Sequence, residues 1–283
     1  MSTIPTATMD VAPVLPMRSR VVTILSAFWH MLRRDITVTA REVFPFAMQV
    51  LVQPFFLLFF FGLVLPETGV AQQTYPAFFL PGVVALNVVM AAIQGVTISL
   101  MLDLSTSREI DDRLLAPLPV SLVAVEKIVF SVLRSMVSGA ITLPLAYLIL
   151  GSGYQVRTDA ILPLIGIMLL AAFASAALGL VLGTVVPADK IYLLFTIIFS
   201  AISFTGCVYY TWSGVGSLKV LQIITLFNPL TYASEGLRAV MVPAMNGQPV
   251  STLPMIWVVL GLSIAFVVFL AIGLRAFYKR VIS

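Results

Sequence analysis

The chain has 283 residues, of which 60% are hydrophobic and only 10% are charged, and its mean hydropathy is +1.08. Soluble domains carry about a quarter of their residues as charged side chains, so this composition excludes a soluble globular domain. The net charge of +4 comes from dispersed basic residues, which excludes a nucleic-acid-binding surface. A single cysteine and a single histidine exclude a disulfide framework and argue against a metal site. We therefore predict one all-α membrane domain over residues 21–283.

Two segments precede the first predicted membrane span. Residues 1–20 contain three prolines, and their arginines follow the mildly apolar stretch instead of preceding it. This pattern predicts a disordered cytoplasmic tail and no signal peptide. Residues 21–41 place apolar and basic side chains on opposite faces at helical spacing, which predicts an amphipathic helix in the membrane headgroup layer. A soluble helix packed on the rest of the protein is the alternative. The basic face contains His30, Arg33, Arg34 and Arg41.

Six apolar stretches predict membrane spans, because about 20 apolar residues in a helix cross about 30 Å of hydrocarbon. Two prolines, Pro45 and Pro54, interrupt the first span, and we expect neighbouring helices to bond the carbonyl groups that they free. The semi-polar residues 214–250 predict short external helices before the last span. The predicted spans are residues 43–65, 78–102, 125–150, 161–186, 191–210 and 254–277.

Lysine and arginine residues are divided unevenly between the two sides of this arrangement. Twelve lie on the side of the amino terminus and three on the opposite side, so both termini are predicted to be cytoplasmic. Arg134 remains inside the third span, and we expect it to snorkel towards the inner surface. The twelve are Arg18, Arg20, Arg33, Arg34, Arg41, Arg108, Arg113, Lys127, Lys190, Arg275, Lys279 and Arg280, and the three are Arg157, Lys219 and Arg238.

The sequence contains no motif for ATP hydrolysis and no acidic group in the middle of a predicted span. None of its lysines follows a glycine, so it has no phosphate-binding loop, and HExxH and GxSxG motifs are also absent. A proton-coupled or ion-coupled transporter usually keeps an ionisable group deep in the bilayer. The energy for transport is therefore expected to come from another chain.

The segment between the second and third predicted spans carries the most informative pattern. Charged residues dominate its first half, leucines follow, and prolines end it. The pattern predicts a short helix parallel to the membrane that offers charges to a soluble partner, and an ordinary solvated loop is the alternative. The candidate residues are Arg108, Glu109, Asp111, Asp112, Arg113, Leu114 and Leu115.

This segment resembles the corresponding segment of the ABC-2 type exporter permeases, where an acidic residue, a leucine pair, a proline or small residue and a later lysine recur. The residues Phe227–Tyr232, followed by Arg238, resemble the NPxTY-type segment that precedes the last span in that family. The predicted interfacial helix and the six spans agree with the same family. The matching residues of the first segment are Glu109, Leu114, Leu115, Pro119, Ser121 and Lys127.

The resemblance implies a permease that pairs with a second copy of itself, or a similar permease, and with two cytosolic ATPase subunits. Residues 107–121 would form the coupling helix that docks on the ATPase, and the ATPase would bind ATP and Mg²⁺, leaving this chain without a cofactor or a catalytic residue. Residues 214–250 would partly re-enter the membrane as an external gate, with a surface loop and a capped helix as the alternative. The gate residues are Asn228, Pro229, Tyr232, Glu235 and Arg238.

Short loops and an apolar interior favour a small amphiphile as substrate, such as a drug, an antibiotic or a lipid, with a polysaccharide or glycolipid as the alternative. The candidate substrate path contains Asn87, Gln94, Phe199 and Phe204, and hydrogen bonding or packing between helices is the alternative role for these side chains. An ATP-independent secondary transporter or channel and an integral membrane enzyme are the alternative functions. Ser175, Gly179 and Gly183 predict close helix packing, within the chain or at a dimer seam.

Overall fold

A computed structural model describes residues 20–105, 120–157, 159–244 and 250–282. These residues form helices and turns, with no strand among them, which confirms the predicted all-α membrane fold. The predicted tail and most of the predicted coupling helix lie outside the described residues. The helices are α1 (Arg20–Arg41), α2 (Val43–Glu67), α3 (Tyr75–Ser105), α4 (Val120–Leu150), α5 (Ile161–Val185), α6 (Ile191–Thr205), α7 (Lys219–Thr225), α8 (Pro229–Met241) and α9 (Met255–Ile282).

Five helices are long and apolar enough to cross a membrane, namely α2, α3, α4, α5 and α9. They correspond to five of the six predicted spans. The remaining prediction, residues 191–210, falls on α6, which has 15 residues and ends at Thr205. At 1.5 Å per residue α6 is about 22 Å long, shorter than the hydrocarbon core of about 30 Å. The helix ends because the backbone leaves the helical conformation at Gly206 and Cys207, where Cys207 has a φ of 53°.

The central helix of the bundle is α3. It packs against α4, α5 and α8, and most of its side chains are buried by the rest of the chain. By contrast, α2 and α9 turn large apolar faces outward, as helices in contact with lipid do. We call the end of the bundle that carries α1 the α1 end, and the opposite end, where α8 lies against the start of α3, the α8 end.

Small side chains bring α3 and α5 into close contact. A Cβ atom added to Gly179 of α5 would lie 2.6 Å from the carbonyl oxygen of Ile93, and one added to Gly183 would lie 3.2 Å from the Cα of Thr97. Thr97 Oγ1 also donates a hydrogen bond of 3.0 Å to the carbonyl of Gly179. The row of Ser175, Gly179 and Gly183 therefore packs within the chain, which is the first of the two predicted alternatives.

The amphipathic helix α1 lies against the start of α4. Lys127 Nζ is 2.8 Å from Asp35 Oδ2 in an ion pair with little solvent exposure, and Leu32 is buried in the same contact region. His30 and Arg41 are exposed on another face of α1, where they and their basic neighbours line a shallow groove. The helix thus has one face against the bundle and a basic face that is exposed.

Candidate functional site

The helix α8 is positioned by its first residues. Asn228 Oδ1 accepts a hydrogen bond of 2.9 Å from the backbone N–H of Leu230, and Pro229 occupies the first helical position. Asn228 is therefore the N-cap of α8, and proline loses nothing at the first position because its missing N–H would have no helical partner. Asn228 Nδ2 also donates bonds of 2.8 Å to the carbonyl of Ile202 and to Thr205 Oγ1. Asn228 therefore starts α8 and attaches it to the end of α6.

One face of α8 bonds carbonyl groups of the last turn of α6 and of the two residues that follow it. The last four carbonyls of any α-helix lack helical partners, and inside a membrane no bulk water replaces them. We call this the capping face, formed by Asn228, Thr231, Ser234 and Arg238, which recur every three or four residues. Beyond Asn228, its bonds run from Ser234 to the carbonyl of Gly206 (2.7 Å) and from Arg238 to that of Cys207 (2.9 Å). The hydroxyl of Thr231 donates its shorter bond, 2.6 Å, to the carbonyl of Thr225 and lies 3.2 Å from that of Thr205.

Glu235 and Arg238 form a buried ion pair on α8. Arg238 Nη1 lies 2.6 Å from Glu235 Oε1, and the two side chains are 1% and 0% exposed. Arg238 Nε donates to the carbonyl of Phe78 at 2.9 Å, and the Glu235 carboxylate accepts the N–H groups of Trp212 (2.9 Å) and Leu253 (3.2 Å). The pair therefore joins the start of α3, the segment after α6 and the segment before α9.

Tyr232 connects the same helix to α9. Its hydroxyl donates to the carbonyl of Leu226 at 2.9 Å, and its ring lies where a Cβ atom on Gly261 would approach to 2.6 Å. With this residue, all five predicted gate residues lie on or at the start of α8. Each holds α8 to another part of the bundle or begins the helix itself.

We expect Asn228→Ala to lower the unfolding temperature of the purified protein in detergent, followed by intrinsic tryptophan fluorescence. Loss of an N-cap side chain costs about 0.5–2 kcal/mol, and this change also removes the bonds to α6. Asn228→Asp keeps the capping oxygen but lacks the amide donor, so its unfolding temperature should fall between those of the wild type and Asn228→Ala. An alanine variant as stable as the wild type would contradict the capping role.

An aromatic cavity of about 410 Å³ opens beside the ion pair. The ring of Phe79 stacks between Tyr75 and Tyr209, with centroid distances of 5.5 Å and 5.9 Å. The hydroxyl of Tyr75 donates to the carbonyl of Tyr209 at 3.1 Å, which holds the start of α3 against the segment after α6. The cavity therefore has aromatic walls, with Arg238 at its edge.

A second ion pair of the α8 end, between Arg157 and Asp159, is exposed. Its two atoms lie 2.6 Å apart, and the backbone N–H of Arg157 donates to the carbonyl of Met241. The hydrogen bond from Arg157 holds the pKa of the Asp159 carboxyl below its usual range, and the same bond raises the pKa of Arg157. Because water screens both charges, this pair contributes little to stability.

A group of polar side chains lies inside the spans, between α2, α3 and α4. Gln49 Nε2 donates to Gln94 Oε1 at 2.7 Å, and the guanidinium of Arg134 donates to Gln49 Oε1. Arg134 also lies over the ring of Phe46, 5.0 Å from its centroid. Phe46 is near the start of α2, so Arg134 extends towards the α1 end, in the direction that its sequence position predicts.

Asn87 lies deeper in the same group and bonds a carbonyl of α2 that has no helical partner. Its Nδ2 donates to Thr142 Oγ1 at 2.7 Å and to the carbonyl of Val50 at 3.3 Å. Pro54, four residues after Val50, has no N–H to bond that carbonyl, and a π-helical segment, Leu58–Val64, follows. A neighbouring helix thus bonds the freed carbonyl, as predicted. We call Gln49, Gln53, Asn87, Gln94 and Arg134 the three-span polar cluster.

The model of the ABC-2 type transporter family matches residues 26–242, from within α1 to just past the end of α8. The chain belongs to the ABC-2 type transporter family. It is a multi-pass membrane protein and a permease subunit of an ABC transporter. No curated protein matches its sequence.

In this ABC-2 type permease the four predicted substrate-path residues occupy two places. Asn87 and Gln94 belong to the three-span polar cluster and bond to neighbouring helices. Phe199 and Phe204 lie on α6 and do not line the cavity of that cluster, and the exposed ring of Phe204 stacks on Tyr209. The predicted coupling residues lie outside the described residues, namely Arg108, Glu109, Asp111, Asp112, Arg113, Leu114 and Leu115.

Several contacts that hold the helices of the permease together were not predicted from the sequence. The roles of Thr231 and Ser234 on the capping face were not predicted, although their helical spacing from Asn228 and Arg238 was a usable signal. The pairing of Asp35 with Lys127 had no local signal, since 92 residues separate them. In the described ranges no three histidine, cysteine or acidic side chains are placed to hold a metal ion.

Proposed function

We propose that this permease is the membrane subunit of an ATP-driven exporter that moves a small amphiphile out across the cytoplasmic membrane. The observation that carries the proposal is the family match over residues 26–242 of a chain with five apolar helices of spanning length. The chain has no phosphate-binding loop, so ATP and Mg²⁺ are bound by a separate ATPase subunit. The active unit contains two permease chains, either two copies of this chain or this chain and a similar one.

The distribution of charge supports a cytoplasmic α1 end. The basic face of α1 lies at this end, together with Lys279 and Arg280 in the last turn of α9. At the α8 end, Arg157 and Arg238 are paired with acidic residues of the same chain, and Lys219 is an exposed basic residue. Basic residues are retained on the cytoplasmic side of membrane proteins, so both termini lie in the cytoplasm. The basic face of α1 then contacts anionic lipid headgroups.

Residues 107–121 provide the docking segment for the ATPase. In the sequence they connect α3, which ends at Ser105, to α4, in which Lys127 binds Asp35 of α1. That ion pair connects the start of α4 to α1, so a force on the docking segment reaches both helices. Closure of the ATPase dimer on nucleotide would move these helices and switch the permease between inward-facing and outward-facing states.

We expect charge reversal in the docking segment to separate the ATPase from the permease. A tagged wild-type chain, purified in mild detergent, should retain a stoichiometric P-loop ATPase identified by mass spectrometry, and the Glu109→Lys/Arg113→Glu variant should lose it. The matched control is Glu67→Lys/Lys219→Glu, which reverses one acidic and one basic residue at exposed positions of the α8 end. The control should retain the ATPase, and both variants should unfold at the wild-type temperature.

Two outcomes count against the proposal. Normal ATP-dependent export by the docking-segment variant would remove the coupling role of residues 107–121. A wild-type chain that purifies without an ATPase in several detergents would favour an ATP-independent transporter or channel. Transport by that alternative would follow an ion gradient and continue after ATP depletion.

A further inference from the structure

Arg134 carries a charge inside a membrane span without a carboxylate partner in the described part of the chain. Its guanidinium has five N–H donors and stays protonated at physiological pH. Its contacts are the bond to Gln49 Oε1 and the ring of Phe46, and neither contact carries a negative charge. By contrast, the fully buried Arg238 is paired with Glu235. A charged side chain within a span is costly unless it is paired, so the Arg134 region lacks an anion.

The amide side chains around Arg134 add further N–H donors to the five of its guanidinium. Gln49 Oε1 already accepts from Arg134, and Gln94 Oε1 already accepts from Gln49. Gln53 Nε2 is buried and has no acceptor among the described residues. An unused donor in such surroundings is unfavourable. N–H donors around a fixed positive charge complement an oxyanion, which accepts several charge-assisted hydrogen bonds at once.

The cluster lies within reach of the leaflet at the α1 end. Gln49 is about 9 Å along the helix axis from the start of α2, and Gln94 is about 12 Å from Leu102 of α3. The side chain of Arg134 extends to the level of Phe46, nearer to that surface. Gln49 is exposed, so the cluster opens sideways at the edge of α2. The enclosed space is about 20 Å³, enough for one water molecule, so a ligand's acidic group meets the cluster at this exposed edge.

We infer that the three-span polar cluster binds the acidic group of an anionic amphiphile, a phosphate, carboxylate or sulfonate, which enters from the leaflet at the α1 end. Arg134 supplies the charge, and Gln49, Gln53 and Gln94 supply further hydrogen bonds. The apolar chain of the ligand lies along the outward apolar face of α2. This inference rests on the proposed function and specifies its substrate class as anionic.

The binding test uses the full chain in phosphatidylcholine nanodiscs, with bound ligand counted by native mass spectrometry. Decyl phosphate is the anionic probe and decyl glucoside its neutral match. We expect decyl phosphate to bind more tightly, and Arg134→Gln to weaken its binding by about tenfold or more, the range for a hydrogen bond to a charged group. Arg134→Lys should give an intermediate affinity, because lysine keeps the charge and loses the planar fork. Lys219→Gln removes an exposed charge at the α8 end and should bind like the wild type.

A second variant separates binding from folding. Gln53→Met replaces a side chain of similar volume whose amide nitrogen has no acceptor, so the fold should be preserved. Its affinity for decyl phosphate should fall several-fold, with the unfolding temperature unchanged or raised. Equal binding of the two probes, or unchanged affinity for decyl phosphate in both Arg134→Gln and Gln53→Met, would overturn the inference.

Competition identifies the source of the acidic group. Displacement of decyl phosphate by phosphatidylglycerol, and not by inorganic phosphate, assigns the site to a lipid-like molecule. Displacement by inorganic phosphate alone assigns the site to a free anion and overturns the inference that the ligand is an amphiphile. Binding is measured on the permease alone, so it does not depend on an ATPase partner. If no ATPase partner were found, the proposed function would be contradicted, but the binding result would still test the anionic site.

Discussion

Replacing Glu235 with alanine is expected to destabilise the permease by about 3–5 kcal/mol, the usual cost of breaking a buried ion pair from one side. The two side chains are 0% and 1% exposed, so the guanidinium of Arg238 would be left buried without its carboxylate partner. The same carboxylate accepts the backbone N–H groups of Trp212 and Leu253, which also lose their acceptor. The decrease is measured as thermal or denaturant unfolding of the purified chain in detergent.

The matched control for this prediction is Asp159→Ala. It breaks an ion pair with the same distance of 2.6 Å, but both its residues are exposed, so little change is expected. A double variant, Glu235→Leu/Arg238→Leu, should lose less stability than the sum of its single variants, because neither charge is left alone. If Glu235→Ala unfolded like the wild type, the ion pair would not hold the α8 end together.

Adding one methyl group at Gly179 is expected to destabilise the protein by about 1–3 kcal/mol, the usual cost of overpacking a core. The new Cβ atom of Gly179→Ala would lie 2.6 Å from the carbonyl oxygen of Ile93, a backbone atom that no side-chain rotation moves. The helix α3 cannot move away from α5, since α4 and α8 pack against its other sides. The separation of α3 and α5 would also weaken the bond from Thr97 to the carbonyl of Gly179.

The same helix offers a matched control for the glycine prediction. A Cβ atom on Gly166 of α5 would meet nothing within 4 Å, so Gly166→Ala should leave stability unchanged or raise it slightly through lower unfolded-state entropy. The two variants are compared by their unfolding temperatures in one detergent. Equal unfolding temperatures would show that α3 and α5 can separate enough to accept the methyl group without a loss of stability.

Span positions were predictable because they depend on long apolar runs, a property of each segment alone. The end of α6 was not predictable in this way. Residues 206–210 are apolar enough to continue a span, and the helix stops where Cys207 adopts a positive φ. The carbonyls of Ile202 and Gly206 are then bonded by Asn228 and Ser234, more than 20 residues later in the chain. The position at which α6 ends therefore depends on tertiary contacts, and local hydropathy does not predict it.

Local and distant parts of the candidate site differ in the same respect. The cap at Asn228 was predictable, since it needs only the order Asn-Pro before a helix. The predicted gate residue Arg238 was found through its family motif, but its partner Phe78 is 160 residues away and had no signal. Likewise, the direction of Arg134 followed from its depth in the span, whereas Gln49 was identified as its acceptor only by helix packing.

The contact between Arg134 and Gln49 has a consequence for the biogenesis of the permease. Inserting an arginine near the middle of a span costs about 2.5–3.5 kcal/mol on translocon scales. Ribosomal synthesis delivers α2 and α3, with Gln49 and Gln94, before α4 emerges with Arg134. The acceptor therefore reaches the membrane ahead of the cation that it stabilises. Insertion of the third span is thus assisted by the first, and a chain lacking α2 should integrate α4 less efficiently.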